Sequence, residues 1–350
     1  MKDEKIYTPE GWLDIDYIVN KYPAWLYVIV SLRQVGKTYG VLKYLLKNDI
    51  KHVLIRRTRD EMDLIKNNPD LDPYKPLEDE GFQTTIISRN GANVIADYII
   101  ENKKIKITKE RGLAFGLPTL AHIRGFSGKE FTDVLFDEFI PEKGVIVKRA
   151  EGVATLNAYT TINGNRELKG EKPLRLWMLA NANSAGSPIA RSFGLVEILQ
   201  KGEEVYYDEK LQVCVLMPTS EKIAKKRAET KLMTFLRETK SDEKFYAMAM
   251  KNEFSYDDLT NVKKISLKGF QPFASFNNEI FIWRNNDIYY VCSKKHNKNA
   301  YKNTEADIKR INEAYKPLFH VVYSYHNLKF EAATLFFQFK ELFGFNYDIL

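Results

Sequence analysis

The sequence predicts an α/β fold whose central sheet is largely parallel, and three observations carry that prediction. Residues 25–30 (WLYVIV) are an apolar run of strand length, followed by a short loop and then a helical pattern through Val41, Leu42, Leu45 and Leu46. A second apolar run, Val134-Leu135-Phe136, leads straight into Asp137-Glu138-Phe139. Further apolar runs at 52–55, 174–179 and 211–216 recur between helical and loop stretches. Short apolar runs of this kind are what strands buried on both faces of a parallel sheet look like.

The loop after the first run reads Ser31-Leu32-Arg33-Gln34-Val35-Gly36-Lys37-Thr38. Strand, tight loop and helix in that order form the context of a phosphate-binding loop. Its backbone N–H groups, from Ser31 through Arg33, Gln34, Val35 and Gly36, cradle phosphates at the helix N-terminus. Lys37 then reaches the β/γ oxygens, and the Thr38 hydroxyl takes a place on Mg²⁺. The usual pattern begins with Gly where Ser31 stands; a Ser holds that turn provided its φ stays negative. The bland alternative is a chance GKT at a helix start.

The acid pair weighs against that alternative. Carboxylates at the C-terminal end of a buried parallel strand lie on the sheet edge where the phosphate loop also sits. Asp137 is placed to hold Mg²⁺, and Glu138 to orient and deprotonate an attacking water. A base directly after the magnesium Asp argues for hydrolysis of a nucleotide such as ATP. A P-loop kinase attacks with a substrate hydroxyl instead and has no use for it.

In chain order, residues 52–55 predict a second strand ending at Arg56-Arg57-Thr58-Arg59, then a helix over 60–66 broken by Asn67-Asn68-Pro69-Asp70. Residues 82–88 and 91–97 predict short strands around a turn, and 104–108 an edge strand or hairpin arm. The run 174–179 predicts a buried strand ending at Ala180-Asn181, and 211–216 the last strand of this sheet. From 219 to 238 charged residues dominate around a helical spacing of Ile223, Ala224, Ala228, Leu232 and Leu236. Residues 276–292 predict a hairpin turning at Asn285-Asn286, 319–323 a strand, and 330–343 a terminal helix. Three regions follow: an ATPase domain at 1–217, a helical linker at 218–258, and a small α+β domain at 259–350.

Composition limits the function classes. The 350 residues are 44% hydrophobic and 13% aromatic, as in a globular protein. The first residues, MKDEKIYTPEGW, hold no apolar core that would predict a secretory signal, and no apolar run is long enough to cross a bilayer. Cys214 and Cys292 stand singly in apolar runs, as core residues of a reduced, cytosolic protein do. Residues 221–350 carry 22 Lys/Arg against 16 Asp/Glu, most of the net charge of +7. A basic C-terminal part suits contact with a polyanion, or is simply a well-solvated surface.

Taken in order, SxRxVGKT, RR-x-[RK] at Arg56-Arg57-Thr58-Arg59, VLFDEF, NRE and LANA resemble the DNA-packaging ATPases of phi29-like bacteriophages. These are additional-strand, catalytic-glutamate P-loop ATPases related to large terminases. The resemblance implies an ATP- and Mg²⁺-dependent motor that drives double-stranded DNA into a preformed procapsid. It implies a homomeric, pentameric ring at the portal vertex in the host cytoplasm, away from membranes, and leaves open a structural RNA between ring and portal. By the same resemblance Arg33 senses the γ-phosphate, Asn181 couples phosphate state to the sheet edge, and Arg124 and Arg166 are candidates to act on a neighbour's nucleotide. The family's main trans Arg aligns with Gly164, two residues before Arg166. Arg56, Arg57 and Arg59 are DNA-contact candidates, Arg59 first among them. The C-terminal domain resembles a ribonuclease H-like nuclease without its active site, so docking to DNA or portal is expected there. Two rivals stand beside this: another P-loop DNA translocase, and a ring component that no longer hydrolyses.

Overall fold

A nine-stranded sheet organises the first of two units in the computed structural model. The structure describes residues 3–344 except 33–34, 123–127, 143–144, 146, 149, 253, 255–256 and 303. The units are Met1–Tyr256 and Asp257–Leu350. In the first, the strands are β1 (Leu26–Val30), β2 (His52–Arg56), β3 (Thr84–Arg89), β4 (Ala92–Glu101), β5 (Lys104–Gly116), β6 (Asp133–Asp137), β7 (Arg175–Ala180), β8 (Val205–Asp208) and β9 (Val213–Leu216). They stand in the order β3-β4-β5-β2-β6-β7-β1-β9-β8. From β5 to β9 every neighbouring pair is parallel, while β3, β4 and β8 add antiparallel edges. The expected parallel-rich α/β class is the one observed.

Alternate residues along the central strands enter opposite layers, the period-two rule that makes these runs apolar throughout. Val28, Val134, Phe136 and Met178 join one apolar cluster, covered by α4 (Leu117–His122), α5 (Glu151–Asn163), α6 (Pro188–Ser192) and α7 (Val196–Lys201). Tyr27, Ile29, Leu135 and Leu179 join the other. That face is covered by three N-terminal helices, Ile15–Lys21, Lys37–Lys47 and Arg59–Asn67, here α1, α2 and α3. At the N-terminal end of β6 the buried Asp133 carboxylate accepts from Arg175 Nε at 2.6 Å and from Trp177 Nε1 at 2.8 Å. The Arg175 guanidinium also lies over the rings of Tyr44 and Trp177.

Two stretches differ from the sequence reading. The arm expected over 104–108 belongs to a 13-residue strand whose second half lies inside the sheet, paired to both β4 and β2. β2 begins at His52, opposite Gly112, and β3 at Thr84, opposite Asp97 and so level with Lys109; residues 104–108 therefore run past both by roughly 16 Å at about 3.3 Å per residue. Asn102 and Lys103, both in the left-handed region, close this hairpin. β8 has no clear signal in the sequence, being four residues long and paired on one side only.

The charged helical region forms α8 (Glu221–Ala228), α9 (Lys231–Thr239) and α10 (Glu243–Lys251), all within the first unit. It rests on the phosphate loop. Ile223 packs against Leu32 and Val35, and Asn252 Nδ2 donates to the Val30 carbonyl at 3.0 Å.

The second unit has a five-stranded sheet of β10 (Gln271–Phe276), β11 (Ile280–Asn285), β12 (Ile288–Cys292), β13 (Ala300–Tyr301) and β14 (Leu328–Phe330), ordered β13-β10-β11-β12-β14. The β11–β12 hairpin turns at Asn286 with φ 51°, as the Asn-Asn pair predicts. After α11 (Glu305–Arg310), the expected strand at 319–323 is instead part of helix α12 (Lys316–Ser324). Its β-branched run misleads. Pro317 sits in the first turn, Phe319 and Val322 are buried at i,i+3 spacing, and Val321 between them is 56% exposed. Burial on one helical face overrides local β-propensity. The terminal helix α13 (Ala333–Phe343) begins only after β14.

Candidate active site

The phosphate loop leaves the C-terminal end of β1 and enters α2 at Gly36. Ser31 is fully buried and is not among the described residues with positive φ, so the missing first glycine is accommodated as the sequence argument requires. Gly36 caps the helix with φ 81°, and a Cβ there would stand 3.3 Å from the Trp12 ring. Lys37, 9% exposed, donates from Nζ to the carbonyls of Ser31 (3.3 Å) and Leu32 (3.0 Å) and to Asn181 Oδ1 (3.0 Å). Arg33, Gln34 and Arg124 lie outside the described residues.

β7 stands between β1 and β6, which puts Asn181 between the loop and the acid strand. Thr38 Oγ1 donates to Asp137 Oδ1 at 3.0 Å. Gly36, Lys37, Thr38, Tyr39, Asp137, Glu138, Ala180 and Asn181 line one cleft of about 280 Å³. The sequence-predicted loop and acids therefore meet around a single cavity. Thr38 and Asp137 offer adjacent oxygens, the donor chemistry that Mg²⁺ takes.

Glu138 follows Asp137 with φ 59°, a region that a Glu side chain rarely occupies. The Glu138 side chain is 55% exposed; partial desolvation raises its pKa above the ordinary glutamate value, Arg56 opposes the rise, and Asp137, Glu61 and Glu142 add to it. A strained, electrostatically perturbed acid in a cleft is a recurrent mark of catalytic function.

The three arginines after β2 part company. Arg56 is register neighbour to Asp137, and its Nη1 donates to Asp137 Oδ2 at 2.8 Å and lies 3.7 Å from Glu138 Oε2. Arg57 is 5% exposed and paired with Glu151 at 3.1 Å and Glu61 at 3.5 Å, so it faces the interior rather than a DNA surface. Arg59 alone is exposed, at the first position of α3. Arg166 is half-buried, and its Nη2 donates to the carbonyls of Gly128 (2.9 Å), Lys129 (3.0 Å) and Phe131. Reaching a neighbouring subunit would require it to release all three.

Sequence reasoning missed two residues of this neighbourhood, Glu142 and Trp12, and named a third, Arg56, for DNA contact without its place on Asp137. Arg56 was legible only through strand register, since side chains directly across parallel strands share a face. Glu142 accepts from Asn181 Nδ2 at 3.1 Å, four residues after the acid pair, where no motif points. Trp12 lines a second cavity, of about 800 Å³, that shares Gly36 and Tyr39 with the phosphate cleft.

Among solved structures, the Phi-28 gp11 DNA packaging motor matches with a TM-score of 0.60 at 18% identity, covering 99% of this chain and 100% of that one. The bacteriophage Phi-29 viral genome packaging motor assembly matches with a TM-score of 0.63 at 19% identity, covering 95% and 99%. At such identities these likenesses show a shared fold. No curated protein sequence matches the chain. The family described as Podovirus DNA encapsidation protein (Gp16) matches over residues 1–347. With nearly its whole length matched, the chain belongs to the Podovirus DNA encapsidation protein (Gp16) family.

Proposed function

We propose that this chain hydrolyses ATP and uses the cycle to drive double-stranded viral DNA into a procapsid, as a homomeric ring at the portal vertex in the host cytoplasm. Family membership supports the packaging role. One observation supports the chemistry above the others: Lys37, Thr38, Asp137 and Glu138 line one cleft, with the Thr38 hydroxyl on the Asp137 carboxylate. Thr38 and Asp137 would hold Mg²⁺, which would supply charge neutralisation to the phosphates. Lys37 exchanges the carbonyls of Ser31 and Leu32 for phosphate oxygens. Glu138 receives the proton of the attacking water.

Arg56 donates to Asp137 Oδ2, and would have to give up that carboxylate for Asp137 to serve as a metal ligand. Arg56 ends β2, and only Arg57 and Thr58 separate it from Arg59, so the acid pair's partner and the exposed cation belong to one short stretch of backbone. We assign Arg59 to a DNA phosphate, a contact that positions without reading sequence. Arg33 and Arg124 are the remaining candidates for γ-phosphate sensing and for a contact in trans. The basic second unit docks on DNA or portal.

The deciding experiment is the ATPase rate of the purified chain with and without double-stranded DNA across salt. Stimulation by DNA that falls steeply with salt is expected of a motor that grips phosphates. A rate indifferent to DNA at low salt overturns the reading. Stimulation by DNA but never by portal or procapsid would favour a translocase that works without a capsid.

The larger cavity bordering Gly36 and Tyr39 accommodates the nucleoside, with the Trp12 ring as one wall. Trp12→Ala is expected to weaken ATP binding about tenfold, within the usual range for base–aromatic stacking, and to leave tripolyphosphate binding unchanged. Competition titrations against a fluorescent nucleotide check both arms. Equal losses for the two ligands would remove Trp12 from base recognition.

A further inference from the structure

Asn181 joins two charged groups across the cleft. Its Oδ1 accepts from Lys37 Nζ at 3.0 Å, and its Nδ2 donates to Glu142 Oε1 at 3.1 Å. A primary amide presents either an acceptor or a donor pair to a site, depending on a half-turn of its last bond, whereas an ionised carboxylate only accepts. Glu142 therefore holds the NH₂ end and leaves the oxygen facing Lys37. We propose that Glu142 is a positioning residue for hydrolysis: by fixing the Asn181 amide, it keeps an acceptor turned toward the phosphate cleft. The inference rests on the nucleotide reading above.

Orientation matters once phosphates draw Lys37 away. The exposed Oδ1 repels phosphoryl oxygens and accepts a hydrogen bond from water. The reversed amide would donate to a phosphoryl oxygen, stabilise bound ATP and leave that water without an acceptor. Glu142 thus favours turnover over ground-state binding, and losing it splits the kinetic parameters.

The test uses the full chain and five variants: Glu142→Ala, Asn181→Ala, their double variant, Asn181→Asp, and Asn181→Asp combined with Glu142→Gln. Steady-state ATPase and the ATP:ADP affinity ratio, read by competition against a fluorescent nucleotide, are measured for each. Glu142→Ala is expected to lower kcat about tenfold, the effect of one charge-assisted hydrogen bond, while KM falls and the ATP:ADP preference rises severalfold. In the Asn181→Ala background the same change should add less than about twofold, because residues acting through one contact are not additive. The Asp/Gln combination places a donor at 142 and an acceptor at 181, and should recover part of the kcat lost in Asn181→Asp alone. That rescue also decides the matter if Glu142→Ala fails to fold. Additive losses, a kcat loss with unchanged ATP:ADP preference, or absent rescue would each overturn the inference. Wild-type chain that neither binds nor hydrolyses ATP would instead overturn the reading beneath it.

Discussion

Glu138→Gln is expected to lower ATP turnover by about 10²–10⁴-fold while leaving ATP binding within about threefold of wild type. The carboxylate lines the phosphate cleft beside Asp137, yet the hydrogen bonds that hold the loop together run through Lys37, Thr38 and Asp137. Gln keeps the size and the reach and removes the ability to take a proton. Single-turnover hydrolysis and a direct binding titration separate the two effects. Retained turnover would transfer the role of base elsewhere and revive hydroxyl attack. Lost binding would make Glu138 part of the nucleotide grip, and lost turnover with intact binding would exclude a ring component that never hydrolysed.

Asp133→Ala is expected to have the opposite profile, a loss of about 3–5 kcal/mol in stability with the site chemistry spared. Asp133 is 1% exposed and accepts from Arg175 and Trp177, so its removal leaves a guanidinium packed between rings without its counter-charge. It begins β6, and Asp137 ends it, so the two acids of one strand serve separate ends of the sheet. A urea midpoint that falls at unchanged slope, with KM for ATP preserved in the folded fraction, is the outcome to look for. A midpoint within about 0.5 kcal/mol of wild type would mean that Arg175 finds another partner.

Much of the first unit was legible because local signals and tertiary demands agree there. A glycine-lysine-threonine helix start, apolar strands and a terminal acid pair each require the others, and the cleft gathers them. Legibility failed where the deciding force was not local. Nothing about Arg57 in sequence distinguishes it from Arg59; its burial depends on Glu151, 94 positions away. Arg166 is likewise defined by three backbone carbonyls of a distant turn. Residues 319–323 failed for the complementary reason, since a β-branched run became helical once one face had a core to enter.

The backbone of Glu138 is held in a conformation that costs an L-residue roughly 1–2 kcal/mol. Glycine or asparagine would relieve it. Either substitution would accordingly trade the carboxylate in the cleft for a backbone at ease. An acid at 138 therefore carries a conformational cost that any use of its carboxylate has to outweigh.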